Sequence, residues 1–180
     1  MFWDKIFKKK KEENIFDNLV LSKLKPGYLV DYDMKTYRVA ARNRYAWQEG
    51  GVTDEWELHG DGGVWFLERS EDDGYVEWSL CQKVPIAELE GDVAGQIIKD
   101  EDPPEEVVYQ GKKFRFMDDD VGEFFRGDAE AGLKFVAWDF EDETGETTLT
   151  IEQWGETKFD MQVGFEVEEY QFINILPGDA

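Results

Sequence analysis

The sequence predicts a mainly β protein: an antiparallel β-sandwich or partly closed barrel, built from two repeated meanders of about ten strands in all, with a short N-terminal helical segment. Three observations carry that expectation. Short runs rich in β-branched and aromatic residues recur along the chain, separated by turns of Gly and Asp. Helical periodicity is confined almost entirely to the beginning. The second half also repeats the order and spacing of the first. With 7 Trp, 13 Phe and 7 Tyr, the chain has the apolar area for a substantial core, although 34% of its residues are charged.

Each element follows from local chemistry. Between Asn14 and Lys25, Ile15, Phe16, Leu19 and Val20 fall on one helical face, which Pro26-Gly27 stops. GYLVDYDMKTYRVAARNRY reads as two strands joined by a tight turn at Asp33-Met34. EWELHG, GVWFLERS and YVEWSLC are further short strands, and the turn inside WELHGDGGVWFLERS falls at GDGG, where glycine accepts positive φ at low cost. ELEGDVAGQIIKDEDPPEE is an acidic connector with a helical turn near Ile97-Ile98, broken by Pro103-Pro104. The tail FEVEEYQFINIL adds a last strand whose alternation shifts phase once, which predicts a bulge or a corner.

The repeat is one of spacing. LVDYDMKTYRV from Leu29 matches VVYQGKKFRF from Val107, with Tyr32 and Tyr37 placed as Tyr109 and Phe114. Trp56 lies 11 residues before Leu67, and Trp138 lies 11 before Leu149. The offset grows between these two matches, so a loop insertion belongs in GEFFRGDAEAG. Residues 1–21 therefore read as a basic, aromatic and partly helical segment. Residues 22–177 read as a single β domain with halves at about 26–88 and 105–177. One meander alone would leave an apolar face open to water, and two packed together would cover it.

Composition excludes several functions. Forty-two acidic residues against 20 basic ones give a net charge of -22, the reverse of what phosphate backbones recruit, so nucleic acid is not expected as a partner. The single cysteine, Cys81, permits no intrachain disulfide and reads as a small buried hydrophobe. No apolar run approaches the ~18 residues of a membrane span, and the N-terminus lacks the order of a signal peptide. The expected location is cytoplasmic, with membrane association only from the surface.

No catalytic constellation emerges. The one histidine, His59, and the serines Ser22, Ser70 and Ser79 stand in no nucleophile motif. One Cys and one His cannot build a four-ligand zinc site of the usual N/S type. The runs Glu71-Asp72-Asp73 and Asp118-Asp119-Asp120 do not fit a calcium loop, and GDGG opens no helix. No catalytic, cofactor-binding or metal-binding residue is therefore nominated, and no cofactor is expected. Alternation assigns Trp56, Trp65 and Trp78 to the core.

Two segments look made for docking. Arg42, Arg44 and Trp47 form a basic-aromatic cluster in the loop-like RNRYAWQEGG, a candidate partner surface. At the N-terminus, Phe2, Trp3, Ile6 and Phe7 make an apolar stripe on a helical wheel, rimmed by Lys8, Lys9, Lys10 and Lys11. Residues 1–11 hold five lysines and one aspartate, a local charge of +4, which is the form of an interfacial anchor on an anionic membrane or in a partner's groove.

Three stretches also resemble a bacterial family catalogued as domain of unknown function 4178: LKPGYLVDYDMKTYRV, DEWELHGDGGVWFLE, and LTIEQWGETKFDMQVGFEVEEYQFINILP. The likeness covers about residues 22 to 177, with Tyr28 standing where the family usually has an acid. The resemblance implies a cytoplasmic accessory protein linked to envelope stress or polyamine biology, and it supplies no mechanism.

The leading expectation is a non-enzymatic binding or adaptor protein that docks an unidentified protein partner and touches a membrane through its N-terminus. The alternative is a small-molecule binder for a cationic ligand, a polyamine or a divalent cation. A carboxylate- or metal-dependent enzyme is the third reading.

Overall fold

The computed structural model describes residues 19–178. Its elements are eleven strands and one α-helix, with short 3₁₀ turns between some of them. The strands are β1 (Leu29–Tyr32), β2 (Lys35–Trp47), β3 (Val52–Gly60), β4 (Gly63–Asp72), β5 (Tyr75–Val84), β6 (Glu106–Tyr109), β7 (Lys112–Arg126), β8 (Leu133–Asp142), β9 (Thr148–Gln153), β10 (Phe159–Glu166) and β11 (Phe172–Leu176). The helix α1 is Val93–Asp100. It is capped by Asp92, whose side chain accepts from the Gly95 N–H, and it ends on Glu101 in the left-handed conformation.

Eight strands close a barrel. The order runs β2-β3-β4-β5-β10-β9-β8-β7, and β7 pairs back onto β2, from Asn43↔Arg126 to Trp47↔Gly122. The expected sandwich or partly closed barrel is thus a closed one. The expectation missed because β2 and β7 are long enough to serve two neighbours each. The first part of β2 pairs with β1 and its end with β7, while β7 likewise holds β6 and then β2. Each long strand is bulged where it changes role, between Val39 and Ala41 on β2 and between Phe116 and Asp118 on β7. A bulge bends the strand and reverses which side chains face inward beyond it.

The hairpin turns are chemically specified. Asp33-Met34, Asp73-Gly74 and Gln110-Gly111 all have positive φ at both central positions, the twist that two-residue hairpins require. The connector forms the eight residues of α1 where a single helical turn is expected. The phase break in the tail is a corner: β10 ends at Glu166, a 3₁₀ turn spans Glu169–Gln171, and β11 returns to pair with β1. At the other end, the predicted helix does not extend across the described part of Asn14 to Lys25. Val20 and Leu24 are extended around a 3₁₀ turn at Leu21–Lys23, and Leu21 and Leu24 are buried. Ile15 and Phe16 lie outside the described residues.

Two apolar clusters hold the barrel wall from outside. In the first, Trp56, Leu58, Leu67, Trp78 and Leu80 on the outer face of β3 to β5 are covered by Leu21, Leu24, Val30 and Phe172. Trp56 is fully buried, donates from Nε1 to the Leu24 carbonyl at 2.9 Å, and stacks on Trp78. In the second, Trp138, Phe140, Leu149, Ile151 and Met161 are covered by Leu89, Val93, Ile97 and Val107. Each cluster buries several large side chains at roughly 1.5–3 kcal/mol apiece. The flanking strands and α1 are therefore the lids of the hydrophobic core, and the barrel interior is left for something else.

Candidate functional site

The cross-strand register fixes which residues face the lumen. Asn43, Glu55, Glu68 and Ser79 stand side by side on β2 to β5, opposite in phase to Trp56, Leu67 and Leu80. On the other strands the inward row includes Gln162, Thr150, Asp139 and, one step along, Glu152 and Ala137. Gly122 and Gly164 occupy inward positions because there is no room for more. A Cβ on Gly122 would lie 2.5 Å from Phe135, and one on Gly164 would lie 2.7 Å from the Cys81 Cβ.

One side of this lumen is aromatic. Tyr45 and Trp47 stack at 5.8 Å, Trp47 meets Phe135 edge-on, and Phe135 lies 4.6 Å from Trp154. The other side is carboxylic. Glu55 is fully buried and accepts from Asn43 Nδ2 at 2.8 Å and from the Tyr45 hydroxyl at 3.0 Å. Glu68 accepts from Gln162 Nε2 at 3.2 Å and from Ser79 Oγ at 3.3 Å, and the Cys81 thiol lies 3.6 Å away. Burial, reinforced by the neighbouring Glu55, still pushes the Glu68 pKa up to about 7.

Glu152 is the odd member. It is 2% exposed, and no hydrogen-bond donor reaches its carboxyl among the described residues. Burial drives its pKa up to about 8; Lys83 opposes the rise, and Glu68 and Glu55 add to it. Asp139 lies at the open end, where it accepts from Thr150 Oγ1 at 2.5 Å.

Between these walls lies a cavity of about 250 Å³, lined by Tyr45, Trp47, Glu68, Asp139, Thr150 and Glu152. That is space for about eight waters. The opening passes Gly50, Gly51 and Asp72. Eight-stranded barrels have interiors either filled by side chains or just wide enough for one small ligand, and this one is partly unfilled. Chemically, the chamber offers negative charge beside π-faces, the combination that receives an organic cation. Among the described residues, no group of three or more His, Cys, Asp or Glu is arranged to hold a metal ion.

The residues nominated from sequence are distributed differently. Arg42 and Arg44 lie on β2, which runs through Trp47, so the expected loop is strand. Arg42 pairs with Asp54 at 2.9 Å and Arg44 sits over the Phe125 ring, whereas Trp47 is on the opposite face, in the lumen. His59 contacts Glu57 at 2.5 Å. Phe2, Trp3, Ile6, Phe7 and Lys8 to Lys11 lie outside the described residues. The lumen acids escaped sequence reasoning because Glu55, Glu68, Asp139 and Glu152 each adjoin a core residue in mid-strand. That alternation is the usual mark of a solvent-facing side chain. Only closure of the sheet turns the polar face inward.

The model of the family described as Domain of unknown function (DUF4178) matches residues 25–169, which contain all eight strands of the barrel. The chain belongs to this family. A DUF4178 assignment spans both halves of the lumen and names no activity. The chain is also similar to an uncharacterized protein of Aquifex aeolicus (strain VF5). The two are 28% identical over 176 residues, covering 96% of this chain and 95% of that one. No solved structure matches the chain. Among the described residues, no helix is long and apolar enough to cross a membrane.

Proposed function

We propose that this DUF4178 protein is a ligand-binding barrel that holds a small organic cation, an amine or polyamine, in its lumen. One observation carries the reading: Glu152, 2% exposed and without a donor, lines a cavity whose opposite wall is Tyr45 and Trp47. A carboxyl so little exposed, with only the field of Lys83 to favour its charge, is costly to ionise, and an ammonium group would supply both the countercharge and the hydrogen bonds. Glu68 and Asp139 lie on the same cavity and would share a second positive centre. This is the small-molecule reading among the three drawn from sequence. The adaptor and membrane-docking reading, drawn from the lack of catalytic motifs, the β architecture and the N-terminal segment, stands apart and is testable by deleting residues 1–13 and measuring partner capture and liposome flotation.

We also read the halves, about 26–88 and 105–177, as copies of one five-strand unit. Their support is the bulge placed alike on β2 and β7, and the like pairing of β2 with β7 and β5 with β10.

Calorimetric titration with putrescine, spermidine and tetramethylammonium tests the ligand. Saturable binding of at least one of these, weakened tenfold to a hundredfold in Glu152→Gln, is expected from loss of a charge-assisted hydrogen bond worth about 1.5–3 kcal/mol. Heats reproduced by sodium chloride at equal ionic strength, or unchanged in the variant, would end the proposal.

A further inference from the structure

We infer that the opposite mouth of the barrel is a second, separate site for an amphipathic carboxylate, an anionic head on an apolar body. A cavity of about 450 Å³ opens there, with Phe66, Phe124, Leu133 and Trp154 on its wall. Leu133 is 64% exposed, an apolar side chain that a ligand body would cover. The rim carries three cations, Lys83, Arg126 and Lys158. None of the three belongs to an ion pair among the described residues; Lys83 instead lies 4.6 Å from the centre of the Phe66 ring.

In a chain with 42 acidic side chains, cations have partners in plenty. Two without one, Arg126 and Lys158, beside the apolar wall of one opening mark a place for an external anion. The acids on the same cavity form no ion pair with these cations among the described residues. Glu55 is held by Asn43 and Tyr45, and Glu57 is held by His59. Asp160 remains on the rim, and its charge favours a singly charged head over a phosphate dianion. A further observation points the same way: Trp154 Nε1 is buried without an acceptor. A carboxylate oxygen seated beside it would satisfy that donor.

The test uses the full chain and four probes: octanoate, acetate, octanol and octylammonium. Calorimetry should give saturable octanoate binding, with acetate silent and with octanol and octylammonium at least tenfold weaker. The double variant Arg126→Met/Lys158→Met should lose roughly tenfold in octanoate affinity, since each exposed charge pair contributes modestly. Its melting temperature should be unchanged, because both side chains are exposed. Lys83 is left alone, since its field also reaches Glu152. Asp160→Asn should tighten octanoate, and Glu152→Gln should change it far less than the double variant does, which separates this site from the acidic chamber. Octanol binding as well as octanoate, an unchanged affinity in the double variant, or loss of octanoate binding in Glu152→Gln would each overturn the inference.

Discussion

Replacing Glu152 by Gln should stabilise the protein at neutral pH and flatten the dependence of its stability on pH. In the folded chain Glu152 keeps its proton to about pH 8, whereas the ordinary value is 4.5. Between those values the folded state binds more protons than the unfolded one, so stability falls as pH rises. The cost grows by about 1.4 kcal/mol per pH unit, reaching about 3 kcal/mol at pH 7 and about 5 kcal/mol once the folded group ionises. A neutral amide carries none of it. For a chain of this size the gain at pH 7 corresponds to roughly 6–12 °C in Tm. Gln brings a desolvation cost of its own, but that cost does not vary with pH, so the slope is the decisive quantity. Urea denaturation of both proteins at pH 5, 6, 7 and 8 should give curves that diverge by about 1.4 kcal/mol per unit toward alkaline pH. The residual slope in the variant should come from Glu68, whose pKa is about 7. Parallel stability curves would show that Glu152 is not a buried proton carrier, and the case for an unpartnered carboxyl in the lumen would fall with it.

The remaining predictions concern the barrel frame. Gly164→Ala should destabilise by about 1–3 kcal/mol in urea, because the new methyl meets the Cys81 Cβ at 2.7 Å and the Leu80 carbonyl at 3.0 Å. Trp56→Phe removes the donor to the Leu24 carbonyl and should cost about 1–3 kcal/mol, with faster proteolysis near residues 21–24 as the companion readout. Cys81 is buried, and burial next to Glu68 raises its thiol pKa. Its labelling by a disulfide reagent at pH 8 should therefore be at least roughly 100-fold slower than in denaturant. Asp142 pairs with Lys112 and accepts from Thr144 Oγ1 and the Thr147 N–H, which hold its pKa well below the ordinary 3.8. Its contribution is present above that ordinary value and is lost as pH falls toward the folded one. Asp142→Ala should thus lower Tm at pH 7, with the deficit narrowing in acid.

Local chemistry made much of this fold legible. Asp33-Met34 and the GDGG stretch announce their hairpins, whereas the equal spacing of Trp56 to Leu67 and Trp138 to Leu149 does not carry into the register: Trp56 pairs with Leu67, but Trp138 pairs with Ile151. Alternation assigned Trp56 and Trp78 to a core, and both are buried. The arginines and the glycine pair around Trp47 read as a loop. The strand persists there because its backbone is paired on both sides, with β3 and with β7. That second pairing joins residues about 80 apart in sequence, at a distance where no local pattern speaks.

The sequence by itself determined the strands, their turns, the apolar rows that must be buried, and the absence of a recognisable catalytic motif. Tertiary structure alone decided where the polar rows went. Period-two alternation says that Glu55 and Trp56 face opposite sides of a sheet, but it carries no information about which side is enclosed. The pairing of β2 with β7 closed the sheet, and the flanking strands with α1 covered its apolar face from outside. With the outer face so occupied, the carboxyls had only the lumen left. Burial there shifts the protonation of Glu68 and Glu152 into the neutral range.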